Sequence, residues 1–296
     1  MKRLSITGRI NFFVFIAFII FPAMTSFSAS AAECNSQLTK QIPARASRAL
    51  VGSVVMDRLL HLSGSERDQV VAEQVLDGNI PAFLRKLTPV TFEGELSDGQ
   101  NAQVTICVTP DYLAIGHDRD FVRVPMGLPA AARIAVRFGF FLPTTKMVDA
   151  IYSQAAVHLE PSPMSPTNQM TSTSYLMQHN STVDTMRARS GRSLDALTAG
   201  QKKDLVFSMR LRAAPGKVAI YGWHRTNGIP IQPLSTVHGA RYADYSHGVR
   251  LVSQTAFVNG NAQSLTSIMQ NPELAQIVSE EGPIANAQDL LVSLSN

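Results

Sequence analysis

The residues best suited to chemistry lie together near the C-terminus. The stretch 220–252, IYGWHRTNGIPIQPLSTVHGARYADYSHGVRLV, holds His224, His238 and His247, three of the chain's seven histidines, with its only tryptophan, Trp223, and with Tyr221, Tyr242, Tyr245, Asp244 and Arg250. An imidazole changes charge near neutral pH and can act as general base, general acid or metal ligand. A carboxylate can orient it, and an arginine can clamp a carboxylate or an oxyanion. Glycine follows two of the histidines, at Gly239 and Gly248, which lets a ligand or a second backbone come close. These types give a catalytic set of His238, Asp244, His247 and Arg250. His238 or His247 is base or ligand, Asp244 its orienter and Arg250 the anion clamp. Trp223, His224, Tyr242 and Tyr245 are the substrate-binding surroundings.

Three chemistries and one structural alternative fit this composition. Two imidazoles and a carboxylate could hold a metal with one position left open for water. Ser246 could be a nucleophile, but on a strand His247 would face the other way, and no Gly-x-Ser-x-Gly elbow is present. Acid–base work needs only an imidazole and its partner. The alternative is a polar corner in which Tyr, His and Arg side chains pin loops to backbone carbonyls. No metal and no cofactor is assigned, and no phosphate loop or dinucleotide fingerprint occurs.

The hexapeptide Ser246-His247-Gly248-Val249-Arg250-Leu251 resembles the Ser-His-Gly-Cys-Ile-Arg-Leu signature of L,D-transpeptidases, exported enzymes that cross-link peptidoglycan through a cysteine thioester. Val249 stands at the cysteine position, so the thioester step does not carry over. His238, Asp244 and His247 are similar in composition to the zinc ligands of metal-dependent D-Ala-D-Ala peptidases. The segments LPTTKMVDAIY, VAIYGWHRTNGIPIQPL and YADYSHGVRLV resemble a family of uncharacterised exported bacterial proteins, which implies an envelope or secreted location. The expectation is an exported (periplasmic or extracellular) hydrolase or transferase acting on a cell-envelope polymer such as peptidoglycan. The alternative is a non-catalytic protein that binds carbohydrate or peptide, with Trp223, Tyr242 and Tyr245 stacking on the ligand.

The address is read at the other end. Lys2, Arg3 and Arg9, an apolar run over residues 12–21, and the small residues Ala29-Ser30-Ala31 have the form of a signal peptide over residues 1–32. Ten apolar residues are too few to span a bilayer, which takes about 20, so no integral membrane segment is expected once the leader is removed. Taking the leader's three positive charges from the whole-chain +4 leaves +1, which gives no argument for nucleic acid. The partner expected is an envelope polymer or a small polar ligand. Cys34 and Cys107 are the only cysteines; an oxidising compartment would permit them to pair, and with no His or Cys at ligand spacing around either a zinc knuckle is excluded.

The elements that must position the site follow from periodicity. Helical spacing predicts helices over 43–62, 64–76 with a capping box at Ser63, 129–138, 144–156 and, weakly, 173–189. Period-two patterns predict a hairpin of 90–96 with 102–108, extended into a meander by 112–115 and 121–124. Strands are also predicted over 204–211, 217–223 and 248–258, with a turn at 212–216 and short helices at 265–269 and 272–279. The run PSPMSP predicts a Pro-rich linker over 161–170 between a helical plus meander region, 33–160, and the site-bearing α+β region, 171–296. His179-Asn180 and Lys202-Lys203-Asp204 read as solvated loops, and His117-Asp118-Arg119-Asp120 as a turn. The class is α+β: N-terminal helices, an antiparallel meander and a mostly antiparallel C-terminal sheet region.

Overall fold

The computed structural model describes Met1 and residues 34–295, so the predicted leader lies outside the described residues apart from Met1. The fold is α+β, as its patterns predict. Helix α1 spans only Gly52–Arg58 of the longer predicted helix, because the Arg45 guanidinium binds the carbonyls of Ala49 and Leu50 and holds the preceding residues in a turn. Helix α2, Gly64–Leu76, starts at Ser63 without the expected side-chain cap bond. Strands β1, Thr88–Glu95, and β2, Asn101–Val108, form the predicted hairpin.

Strands β3, Ala114–His117, and β4, Asp120–Arg123, make a separate ribbon instead of extending a meander. The reason is that the chain leaving β2 is already occupied: the N–H groups of Thr109 and Leu113 donate to Leu251 and Val249. Helix α3, Leu128–Phe138, is followed by β5, Phe140–Phe141, then α4, Thr145–Gln154, and β6, Val157–His158. Thr144 caps α4 by accepting the Met147 N–H at 3.2 Å. Beyond the proline-rich run come α5, Thr173–Arg189, β7, Thr198–Ala199, β8, Lys203–Leu205, and α6, Arg210–Ala213. The strand predicted over 204–211 stops early because Ser208 Oγ and the Met209 N–H turn away to donate to Glu281.

Strand β9, Ile220–His224, pairs with β10, Pro230–Ser235. The single strand predicted over 248–258 is three: β11, His247–Gly248, β12, Val252–Ser253, and β13, Thr255–Val258. Strand β14, Asn261–Ser264, and helices α7, Leu265–Gln270, α8, Ala275–Val278, and α9, Ala287–Ser293, complete the fold.

Two sheets result. The first runs β14-β13-β2-β12-β5, with β1 also on β2; the second runs β10-β9-β8-β11, antiparallel except for β11 beside β8. Val252 of β12 pairs with both Val108 and Phe141, so strands from either side of the proline-rich run share one sheet. One hydrophobic core likewise draws Val90, Ile106, Phe141, Val206, Val252 and Leu291 together. Cys34 and Cys107 form a disulfide that ties the start of the described chain to the centre of the first sheet. No helix among the described residues is long and apolar enough to cross a membrane.

Candidate functional site

The second sheet divides the sequence-predicted site in two. In-register partners on neighbouring strands share a face, and adjacent residues on one strand face opposite ways. Asp204 pairs with Tyr221 and lies on one face; Lys203, which pairs with His247, lies on the other.

On the Asp204 face, the Tyr221 hydroxyl donates to Asp149 at 3.0 Å, and His224 Nε2 lies 2.7 Å from Asp149 Oδ1. Residues three apart on a regular strand face opposite sides, so both cannot reach one carboxylate without a break in the strand. The break is at Gly222, φ 103°, and Trp223, φ 57°. A bulky residue in the left-handed region is strained by about 1–3 kcal/mol, and such strain gathers at functional sites. Glycine is favoured at 222 by φ 103°, which strains any side chain, and a Cβ there would also crowd Val148 Cγ1 at 3.2 Å.

Helix α4 supplies the other wall. One turn after Asp149, Tyr152 stacks on the His224 ring with centroids 4.5 Å apart, and its hydroxyl donates to the Arg225 carbonyl at 2.7 Å. His224 is thus held edge-on by a carboxylate and face-on by a phenol from one helix face. Burial and the adjacent Asp149 raise the Tyr221 hydroxyl well above its ordinary range, which keeps it a donor. The His224 side chain is 3% exposed while the Asp149 side chain is 40% exposed. Both line a cleft of about 570 Å³ with Tyr152, Ser153, His158, Thr226 and Gly228.

Behind this group Asp204 is buried and its carboxyl is pushed up to about 6, chiefly by burial. Its Oδ2 accepts from Tyr112 at 2.8 Å, and its Oδ1 is 3.9 Å from Arg250 Nε. Arg250 is fully buried, lies over the Tyr112 ring at 4.4 Å, and donates to the carbonyls of Thr109 and Thr198. The expected anion clamp is therefore an internal pin, its terminal nitrogens spent on backbone. Gly248 makes room for Tyr112, since a Cβ there would meet the ring at 2.5 Å.

On the Lys203 face, His238 stacks on Tyr242 with centroids 4.2 Å apart, and His247 lies 6.3 Å from His238 and 5.8 Å from Tyr242. Tyr242 donates to Asp244 Oδ2 at 3.2 Å, and Ser246 donates its N–H and hydroxyl to Asp244 Oδ1. Asp244 was expected to orient an imidazole; its bonds go instead to tyrosine and serine, and both nitrogens of the buried His247 are without a partner. Burial outweighs the pull of Asp244 and holds the His247 imidazole below its ordinary range.

Trp223 and Tyr245, 5% and 3% exposed, are closed to a ligand, contrary to their expected stacking role. Trp223 lies under Lys203 Nζ at 5.0 Å, and the Tyr245 hydroxyl accepts the Met164 N–H at 2.8 Å, which straps down the proline-rich run. His179, Lys202 and Asp204 are not solvated loop residues but buried ones. Lys202 Nζ donates to the Tyr245 carbonyl at 2.5 Å and lies 3.1 Å from His179 Nδ1; burial brings the lysine down to about 7 and the histidine down to about 3.

The structure thus gathers His238, Tyr242, Asp244 and His247, places His224 in a different group, adds Asp149 and Tyr152, which sequence reasoning missed, and gives a role to Tyr221, which had none. Among the described residues no group of three or more His, Cys, Asp or Glu side chains is placed to hold a metal ion. Comparison with protein-family models, with curated proteins and with solved structures finds no match.

Proposed function

We propose that this chain is an exported hydrolase or transferase acting on a cell-envelope polymer such as peptidoglycan, with His224 as its acid–base group, Asp149 as orienter and Tyr221 as a supporting donor. One observation carries the reading: a strained strand brings Tyr221 and His224 onto one carboxylate at the edge of an open cleft. With Nε2–H donating to Asp149, Nδ1 holds the lone pair, and the imidazole can take a proton from an attacking water or hydroxyl. The oxygen then bonds to the carbon under attack, the carbon–nitrogen or carbon–oxygen bond breaks, and His224 returns the proton to the leaving atom. Aspartate beside histidine stabilises the imidazolium formed in between. The polar lining, Ser153, His158 and Thr226, suits a hydrated polymer, and the Cys34–Cys107 bond suits an oxidising compartment. The test is release of soluble fragments from purified cell wall by wild type, Asp149→Asn and His224→Gln. Equal release by all three proteins, correctly folded, removes the reading.

A further inference from the structure

Adjoining the His224 cleft is a second hollow of about 370 Å³, lined by Glu160, Pro161, Pro163, Arg225, Thr226 and Ile231. Thr226 lines both, so the two are neighbours along one groove. Neither the Glu160 carboxylate nor the Arg225 guanidinium has an ion-pair partner among the described residues, and the two do not pair with each other although they face the same hollow. Both walls are fixed. The Arg225 backbone is held by the Tyr152 hydroxyl and by its own N–H to the Ile229 carbonyl, and the proline-rich wall by Tyr245 on Met164.

We infer that this hollow seats a residue carrying both a free ammonium and a free carboxylate, and that the substrate is therefore the peptide part of the polymer, cleaved or transferred at an amide next to that residue. The inference rests on the acid–base reading for the reaction, but the recognition stands on the charges. A neutral sugar could hydrogen-bond to Glu160 and Arg225 but would leave both charges uncompensated. A polyanion would meet Glu160 and Asp149, and a polycation would meet Arg225; only a ligand of both signs is complementary at each end. Glu160 takes the ammonium and Arg225 the carboxylate, as a two-oxygen acceptor for its planar fork.

Calorimetry on the Asp149→Asn protein, which retains the groove but lacks the orienter, provides the test. The probes are N-acetyl-alanyl-lysine, its C-terminal amide, its Nε-acetyl form and a tetramer of N-acetylglucosamine. The first should bind best, each neutralised form weaker by up to about fivefold, as expected for an exposed charge pair. Adding Arg225→Ala should abolish the difference between acid and amide, and adding Glu160→Gln the difference between free and acetylated amine. Equal affinity across the peptides, no peptide binding, or preference for the sugar tetramer overturns the inference. Charge-selective binding with no peptide turnover by wild type would leave the recognition of a doubly charged residue standing while removing the hydrolase reading and with it the amide as the reacting bond; turnover indifferent to Glu160 and Arg225 would overturn the recognition and leave the hydrolase reading.

Discussion

His224 and Asp149, 75 residues apart in the chain, meet at 2.7 Å between Nε2 and Oδ1. Loss of that contact should cost catalysis and little else, because Asp149 lies at the cleft edge. Asp149→Asn and His224→Gln are each expected to lower turnover about 10²–10⁴-fold, the range for a removed acid–base group, and together no further than the worse single change. Matched circular dichroism spectra with unchanged rates would disprove the assignment.

Gly222 is predicted to be intolerant of a side chain. Gly222→Ala puts a Cβ at φ 103°, 3.2 Å from Val148 Cγ1, and should destabilise the fold by more than about 1 kcal/mol while also shifting His224. Urea unfolding reads the first effect and turnover the second. An unshifted midpoint would mean that the strand does not break there.

Arg250→Met is expected to cost about 3–5 kcal/mol, because Asp204 is left buried without its cation. The double change Arg250→Met with Asp204→Asn should recover part of that loss, whereas two independent packing defects would add. Denaturation of the single and double variants gives the comparison.

Lys202 sets a pH dependence. Its folded value near 7 lies below the ordinary lysine value near 10.4, so the unfolded chain binds more protons between the two. Stability therefore rises with pH through that window, on the order of 2 kcal/mol from pH 7 to pH 9. Lys202→Met should flatten the slope over that range, measured as the urea midpoint at each pH; a slope unchanged by the substitution excludes Lys202 as its source.

Export and the disulfide are checked by one mass spectrum. The mature protein should begin within a few residues of Ala32 and carry no free thiol. Reduction should then lower stability by up to about 4 kcal/mol on the chain-entropy account of a crosslink closing such a loop. Membrane-bound material with Met1 intact would refute the signal-peptide reading.

The legible parts of the chain were those whose pattern is local. The β1–β2 hairpin follows from alternation on either side of Asp98-Gly99, and α3 and α4 from apolar spacing after Pro129 and Pro143. His224 drew attention by its neighbours. Asp149 did not, since it sits in a helix 75 residues from His224, and only its spacing from Tyr152 on one helix face hinted at a shared partner. The split of the site had no signal at all: a tryptophan in the left-handed region is a tertiary decision, made where the second sheet forces Tyr221 and His224 to the same side. The break of 248–258 into three strands was equally hidden, because the backbone partners of Val249 and Leu251 lie at Leu113 and Thr109.

The position of β2 has a kinetic meaning. Its first partner, β1, is adjacent in the chain, but β12 and β13 come far downstream, Val252 pairing with Val108 and Phe257 with Thr105. Contacts so distant in sequence must await loop closure and slow the final assembly. The main sheet cannot shut until nearly the whole polypeptide has been synthesised, so a partly made chain keeps one side of β2 open. Under the export proposed above, such delayed closure would leave time for passage as an extended thread before the barrier to unfolding is raised.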